Sequence, residues 1–285
     1  MKYALFLGCT VPVRAQHYEL STRKVAQAFG IELVDVDEFS CCGFPVKSTH
    51  APTTSLIAAR NLAIASSLRL DICTLCSSCC STLTEVNEAL SGNGGLRREL
   101  TKIGREYRAP IEVKHFARIL WEDVGVQRIE PLITRKLRPL RVAAHYGCHY
   151  LKPSEIFGFD EPEDPRSLDE LIRITGATGV DYENKKICCG GAILGIDEDD
   201  ALLIAKSKLD SVKEADADAL ISICPFCSIM YDDNQRKVAA KFETEYDLPV
   251  LYYPQLLGLA LGLDPQELGV RMNKIRLEKL LSKLE

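Results

Sequence analysis

Ile187-Cys188-Cys189-Gly190-Gly191 decides how this chain is read, together with its earlier echo, Cys41-Cys42-Gly43-Phe44-Pro45. Adjacent cysteines rarely bridge to each other, because the intervening peptide strains the ring. They are better suited to offer two thiolates to one inorganic object. A glycine just after them lets the backbone approach that object without a Cβ clash. Each vicinal pair is followed downstream by a Cys-x-x-Cys, namely Cys76-Ser77-Ser78-Cys79 and Cys224-Pro225-Phe226-Cys227. Each is preceded by a Gly-Cys, at Cys9 and Cys148.

Working outward, the two sets fall into register. Cys9 is followed by 31 residues, Cys41-Cys42, 33 residues and Cys76-x-x-Cys79. Cys148 is followed by 39 residues, Cys188-Cys189, 34 residues and Cys224-x-x-Cys227. This is internal duplication of a unit of about 140 residues. We expect one unit over 1–138 and the other over 139–285, joined through the poorly periodic, proline-bearing segment 126–138. Two cysteines stand outside the register. Cys73 has Ile221 as its counterpart and Cys80 has Ser228, and both read as non-ligands.

The stretches between cysteines alternate between strand and helix. Apolar runs at 2–8, 31–36, 70–75, 140–146, 178–182, 219–223 and 249–253 read as strands. Helical spacing marks 18–29, 53–68, 81–90, 96–107, 168–175 and 201–215. The stretch from Glu112 to Trp121 fits a strand then a helix, or a helix alone. Ser91 to Gly95 reads as a loop. In the tail from Arg271 to Leu284, the residues Ile275, Leu277, Leu280, Leu281 and Leu284 share one helical face. The pattern predicts an α/β fold of two pseudo-symmetric repeats with mainly parallel sheets. Such sheets carry function at the carboxyl ends of their strands, where every cysteine motif here falls.

The chain has 285 residues, 46% of them apolar and 26% charged, and a net charge of −5. That composition suits a globular protein and argues against nucleic-acid binding. No apolar run nears the roughly 20 residues that span a bilayer. The start, Met1 to Arg14, reads as a buried strand and not as a signal segment. We expect a cytoplasmic location, where twelve cysteines are thiols or metal ligands and not disulfides. Tetrahedral zinc commonly uses two Cys-x-x-Cys hooks, and each half here has only one. Soft thiolates suit iron–sulfur cores. A cubane takes four cysteines, yet each half offers five. The fifth either bridges two irons or holds an opened, non-cubane core.

With these residues in view, the chain resembles the CCG cysteine-rich domain family, and in particular the B-type subunits of heterodisulfide reductase. Flanking segments carry the likeness further: Gly8-Cys9-Thr10, Asp181-Tyr182-Glu183-Asn184 and Leu251-Tyr252-Tyr253-Pro254-Gln255-Leu256-Leu257-Gly258. The resemblance implies two non-cubane [4Fe–4S] clusters facing a shared cleft. Their ligands would be Cys9, Cys41, Cys42, Cys76 and Cys79, then Cys148, Cys188, Cys189, Cys224 and Cys227. Cys80 stands where relatives often show an aromatic residue. The implied reaction is reduction of the mixed disulfide of coenzyme M and coenzyme B, each cluster binding one sulfur and supplying one electron. Implied partners within heterodisulfide reductase are a C-type subunit with ordinary iron–sulfur clusters and an A-type subunit with flavin and iron–sulfur clusters. A hydrogenase or formate dehydrogenase would join them in a larger complex. The sequence itself has no dinucleotide fingerprint and no ferredoxin-type cysteine spacing, so electrons must come from outside.

Both halves of that substrate are anionic, so basic groups near the ligand cysteines become candidates: Arg14, His17, Lys47, His50, His149 and Lys152. His149, or else His145, is the candidate proton donor to a departing thiolate. Alternative readings keep the same ligands. One is a disulfide or persulfide redox subunit of a non-methanogenic sulfur pathway. Another is a CCG electron-transfer subunit of a larger oxidoreductase.

Overall fold

Two four-stranded parallel sheets are stacked along the chain in the same strand order. The computed structural model describes residues 1–92 and 94–284. The first sheet holds β1 (Lys2–Phe6), β2 (Glu32–Asp35), β3 (Asp71–Thr74) and β4 (Val113–His115), in the order β2-β1-β3-β4. The second holds β5 (Arg141–His145), β6 (Thr178–Val180), β7 (Ala219–Ser222) and β8 (Val250–Tyr252), in the order β6-β5-β7-β8. Each β-strand pairs parallel with its neighbours. The α/β reading with two pseudo-symmetric repeats is therefore borne out.

Burial explains the strand sequences. In β1, Tyr3 through Phe6 are buried on both faces, as helix-covered parallel strands must be. The edge strand β2 is only half-buried, and β7 is buried throughout. Register repeats too: Phe6 pairs with Thr74 as His145 pairs with Ser222. Because the chain crosses from β2 to β3 over β1, the loops after β1 and β3 open on a shared crevice. That is the switch point at which doubly wound sheets hold ligands.

The halves are locked together at their centre. Helix Gln16–Ala28 of the first half lies on helix Tyr253–Ala260 of the second. The Tyr18 ring stacks on Tyr252 with centroids 4.0 Å apart, and its hydroxyl donates to the Ile223 carbonyl at 3.0 Å. His115, at the end of β4, places Nε2 2.8 Å from the same carbonyl.

Three stretches differ from expectation. Helix Ser77–Gly92 runs into the glycine-rich stretch, and another helix covers Gly94–Lys102; Asn93 lies outside the described residues. Buried Leu90 and Leu100, and the Arg97 guanidinium on the Leu90 carbonyl at 2.7 Å, outweigh the low helix propensity of glycine. The segment 126–138 is partly helical at Val126–Ile129 and is pinned by Thr134 and Arg135 amides on the Ala260 carbonyl. In the tail, only Glu278–Ser282 is α-helical. Asp232 accepts the Lys274 and Ile275 amides, each at 2.8 Å, and Asn273 donates to the Val250 carbonyl at 2.6 Å. Those bonds hold the backbone out of a helix, although Ile275, Leu277 and Leu280 are buried as their pattern implied.

Candidate metal centre

The segments that follow β1, β2 and β3, and likewise β5, β6 and β7, carry the cysteines. Gly8, Gly43, Gly147 and Gly190 all sit at positive φ, +65°, +89°, +74° and +79°, where only glycine is free of Cβ strain. They turn the backbone so that the thiols face inward. A Cβ on Gly8 would lie 3.0 Å from the Cys79 sulfur, and one on Gly147 would lie 3.5 Å from the Cys227 sulfur. After the vicinal pairs, the Gly43 and Gly190 amides donate to Cys41 Sγ and Cys188 Sγ, each at 3.4 Å. The Gly191 amide donates to Cys189 Sγ at 3.3 Å.

The ten registered thiols form one continuous row. Cys9 and Cys41 sulfurs are 3.8 Å apart. Beyond that pair, Cys41 and Cys42, Cys42 and Cys79, and Cys79 and Cys76 lie close enough to shift one another's ionisation. Cys76 and Cys224 shift each other's ionisation across the two halves. From there the row runs through Cys227, Cys189 and Cys188 and ends at Cys148, 4.0 Å from Cys188. Within it, Cys42 is held well below the ordinary thiol range by contacts from Cys41 and Cys79. Cys188 is lowered likewise by Cys148 and Cys189, and Cys224 by Cys227 and Cys76. Contact with Cys41, then burial, pushes Cys9 up. Cys227 is raised chiefly by contacts with Cys189 and Cys224. Soft metal ions bind sulfur in its thiolate form, so the thiols of both sets must give up their protons to any metal they hold.

Cys73 and Cys80 lie outside the row. Cys73 is buried in β3 and its thiol is pushed up by burial. Cys80 is buried and its thiol is pushed up to about 11 by that burial.

Between the halves is a small recess lined by Phe44 and Ser77 from the first, and by Cys148, His149, Cys189 and Phe226 from the second. His149 meets the Phe44 ring edge-on at 5.0 Å, and its Nδ1 lies 3.2 Å from Cys148 Sγ. Burial pushes the His149 imidazole below its usual range.

Of the six basic candidates, only His149 lines this recess. Arg14 pairs with Asp233 at 2.7 Å and Lys47 with Glu85 at 2.6 Å. Lys152 is exposed, 3.8 Å from Glu163. His50 caps helix Ala51–Leu68 through the Thr53 amide. His17 is buried against the Tyr252 ring. His145 is fully buried at the end of β5, its ring nitrogens without a partner among the described residues.

Sequence reasoning missed Phe44 and Phe226 as recess walls, and it missed Lys208. The lysine is fully buried in helix Glu198–Glu214. Its ammonium donates to the carbonyls of Asn184 and Lys185, the latter at 2.9 Å. Burial pulls its pKa down to about 7. A signal was present: Lys208 falls on the apolar face that Ala205, Leu209 and Val212 define.

Among the described residues, no three His, Cys, Asp or Glu side chains converge on one point as ligands of a single ion do. The thiols instead line an extended cradle that glycines keep open, and all ten donors are soft sulfur. That donor set fits a polynuclear iron–sulfur group.

Known proteins give the same answer. The family model for the CCG cysteine-rich domain matches residues 3–84 and 142–232. The B-type subunit of the ferredoxin:CoB-CoM heterodisulfide reductase of Methanosarcina mazei is 36% identical over 99% of this chain and 97% of its own. The 8-methylmenaquinol:fumarate reductase membrane anchor subunit of Wolinella succinogenes is 30% identical over 98% of this chain and 99% of its own. A crystal structure of a hypothetical protein from Helicobacter pylori superposes with a TM-score of 0.77 at 15% identity. It matches 96% of this chain, which spans 52% of that one, and shows the fold alone. Two CCG domains in tandem define the class. The chain belongs to the CCG cysteine-rich family, in the branch of the B-type subunits of heterodisulfide reductase. Among the described residues, no helix is long and apolar enough to cross a membrane.

Proposed function

We propose that this chain is the disulfide-reducing component of a multi-subunit reductase, acting on the heterodisulfide of coenzyme M and coenzyme B. The observation that carries the reading is two registered sets of five thiols, the second lining a recess that Phe44, Ser77 and Ser78 of the first half close. Residues 1–138 and 139–285 are the two units, each holding one iron–sulfur group. Cys9, Cys41, Cys42, Cys76 and Cys79 would hold one; Cys148, Cys188, Cys189, Cys224 and Cys227 would hold the other. When bound, a non-cubane [4Fe–4S] group in each set supplies one electron and a soft metal for one sulfur. The reaction takes one disulfide, two electrons and two protons to two thiols, and paired one-electron centres match that count. The electrons come from outside the chain, from an iron–sulfur partner of the C type supplied by a flavin-bearing partner of the A type.

The chain's own residues do the rest. Gly8 and Gly147 keep side chains out of the space beside the thiols, and Gly43 and Gly190 let the vicinal pairs pack closely on the helices at Thr54 and Ala201. Phe44 and Phe226 wall the recess with apolar surface and limit water at the reacting sulfurs. His149, in the recess wall, is the group we assign to hand a proton to a departing thiolate.

The test is reduction of the coenzyme M–coenzyme B heterodisulfide by a reduced viologen, with the anaerobically purified chain as catalyst. Dye oxidation with release of two thiols is expected. No reaction with the chain alone or in its full complex would reject the reading. The Wolinella relative favours a second reading, a CCG protein that passes electrons to another component of its complex. Dye oxidation that needs a partner and a non-disulfide acceptor would favour it.

A further inference from the structure

The two halves differ behind their vicinal cysteines. A Cβ on Gly43 would meet Thr54, and one on Gly190 would meet Ala201, which sets helix Ala51–Leu68 against helix Glu198–Glu214. Two turns further on, Asn61 in the first half occupies the place of Lys208 in the second. Both are fully buried, and both tie down the segment that precedes or contains the vicinal pair. Asn61 donates to the Cys41 carbonyl at 3.0 Å and accepts the Ser40 amide at 3.0 Å. Lys208 donates to the Asn184 and Lys185 carbonyls. The task is shared, but one side chain is neutral and the other is an ammonium.

A second difference lies at the strand ends. His145 in β5 occupies the position of Phe6 in β1, three residues ahead of Cys148 and Cys9 respectively. Its N–H has no acceptor among the described residues, and a buried donor left unpaired is costly. Lys208 holds the Asn184 and Lys185 carbonyls, within four residues of Cys188, and His145 ends β5 three residues ahead of Cys148, so both stand behind the second thiol set. Net charge and hydrogen bonds to sulfur are the main levers on iron–sulfur potentials, and inside a protein they act with little screening.

We propose that Lys208 and His145 raise the reduction potential of the iron–sulfur group held by Cys148, Cys188, Cys189, Cys224 and Cys227 above that of the group held by the first half, so that the first electron to reach the chain settles in the second half. This rests on the iron–sulfur reading above. Lys208 and His145 are positioning residues that touch neither substrate nor reacting atoms.

The experiment is a potentiometric titration of the anaerobic, iron-loaded chain without substrate, with titanium(III) citrate as one-electron reductant and EPR as readout. Two one-electron signals with separate midpoints are expected. In Lys208→Met the higher-potential signal moves down, so that its reduced-to-oxidised ratio at fixed potential falls at least tenfold, about 59 mV for one electron. The lower-potential signal stays in place. In His145→Phe, which copies the first half, the same signal moves down by less. If Lys208→Met does not load iron, His145→Phe decides alone. Equal midpoints in the unmodified chain, movement of the lower signal, or no movement in a fully loaded variant would overturn the proposal. A chain without iron would instead defeat the iron–sulfur reading itself.

Discussion

The first half, from Cys9 to Cys79, and the second, from Cys148 to Cys227, share strand order, register, thiol count and glycine turns, yet they differ in what surrounds the sulfur. The first backs its set with Phe6 and Asn61, the second with His145 and Lys208. The recess is also lopsided. Phe44, Ser77 and Ser78 reach in from the first half, but all five of its thiols belong to the second. Duplication kept the geometry that holds a group and left free the residues that tune it. Under the proposed function, a two-electron reaction run by two one-electron centres would gain from that freedom, because identical centres would not order the electrons.

The comparison breaks most visibly at the cysteines. Cys42→Ser should empty the first set and Cys189→Ser the second, each lowering iron and acid-labile sulfide by about half. Cys73→Ser and Cys80→Ser should keep nearly full iron. Iron loss in Cys73→Ser as deep as in Cys42→Ser would end the ten-ligand account.

A smaller difference is expected at the glycines. Alanine at positive φ costs on the order of 1–2 kcal/mol. At Gly8 it also meets Cys79 Sγ at 3.0 Å, whereas at Gly147 the nearest sulfur is at 3.5 Å. Gly8→Ala should therefore lose more iron and melt lower than Gly147→Ala, and the reverse order would mean that the first cradle is the looser one.

Acid should act on both halves. Burial holds His17 and His115 of the first half down to about 4, and His145 of the second to about 3. Unfolded histidines titrate near 6.5, so below that pH the unfolded chain binds more protons. The stability these groups contribute is present above pH 6.5 and is lost as pH falls toward about 4. At pH 5.5 the loss is about 1 kcal/mol for each histidine. Urea unfolding of the loaded chain at pH 7.5 and 5.5 measures it, and His17→Phe should shrink the difference by about 1 kcal/mol. A flat profile would contradict the assignment.

The smallest effect concerns the joint between the halves. Tyr18→Phe removes the hydroxyl from the Ile223 carbonyl, which keeps His115. A loss of about 1 kcal/mol or less is expected, with iron content unchanged.

Much of this was legible in the sequence because a parallel sheet announces itself. Buried strands such as β1 and β7 read as apolar runs, and their cysteines follow within a few residues. The glycines after Cys42 and Cys189 signalled the tight turns. Other features depend on residues distant in the chain. The tail from Arg271 is patterned as a helix, but Asp232 and Asn273 fix its backbone in another form. Arg14 and Lys47 sit near cysteines in sequence, yet Asp233 and Glu85 claim them. The recess is built from Phe44 and Phe226, which only the docking of two halves brings together.

The most direct test of the account is a single turnover. The chain is loaded with iron and sulfide, reduced by titanium(III) citrate, freed of excess reductant and mixed anaerobically with one equivalent of the coenzyme M–coenzyme B heterodisulfide. The account predicts one disulfide cleaved and two thiols released per chain, with both EPR signals lost together. Cleavage of half an equivalent, with only one signal lost, or no cleavage by a fully reduced chain, would contradict it.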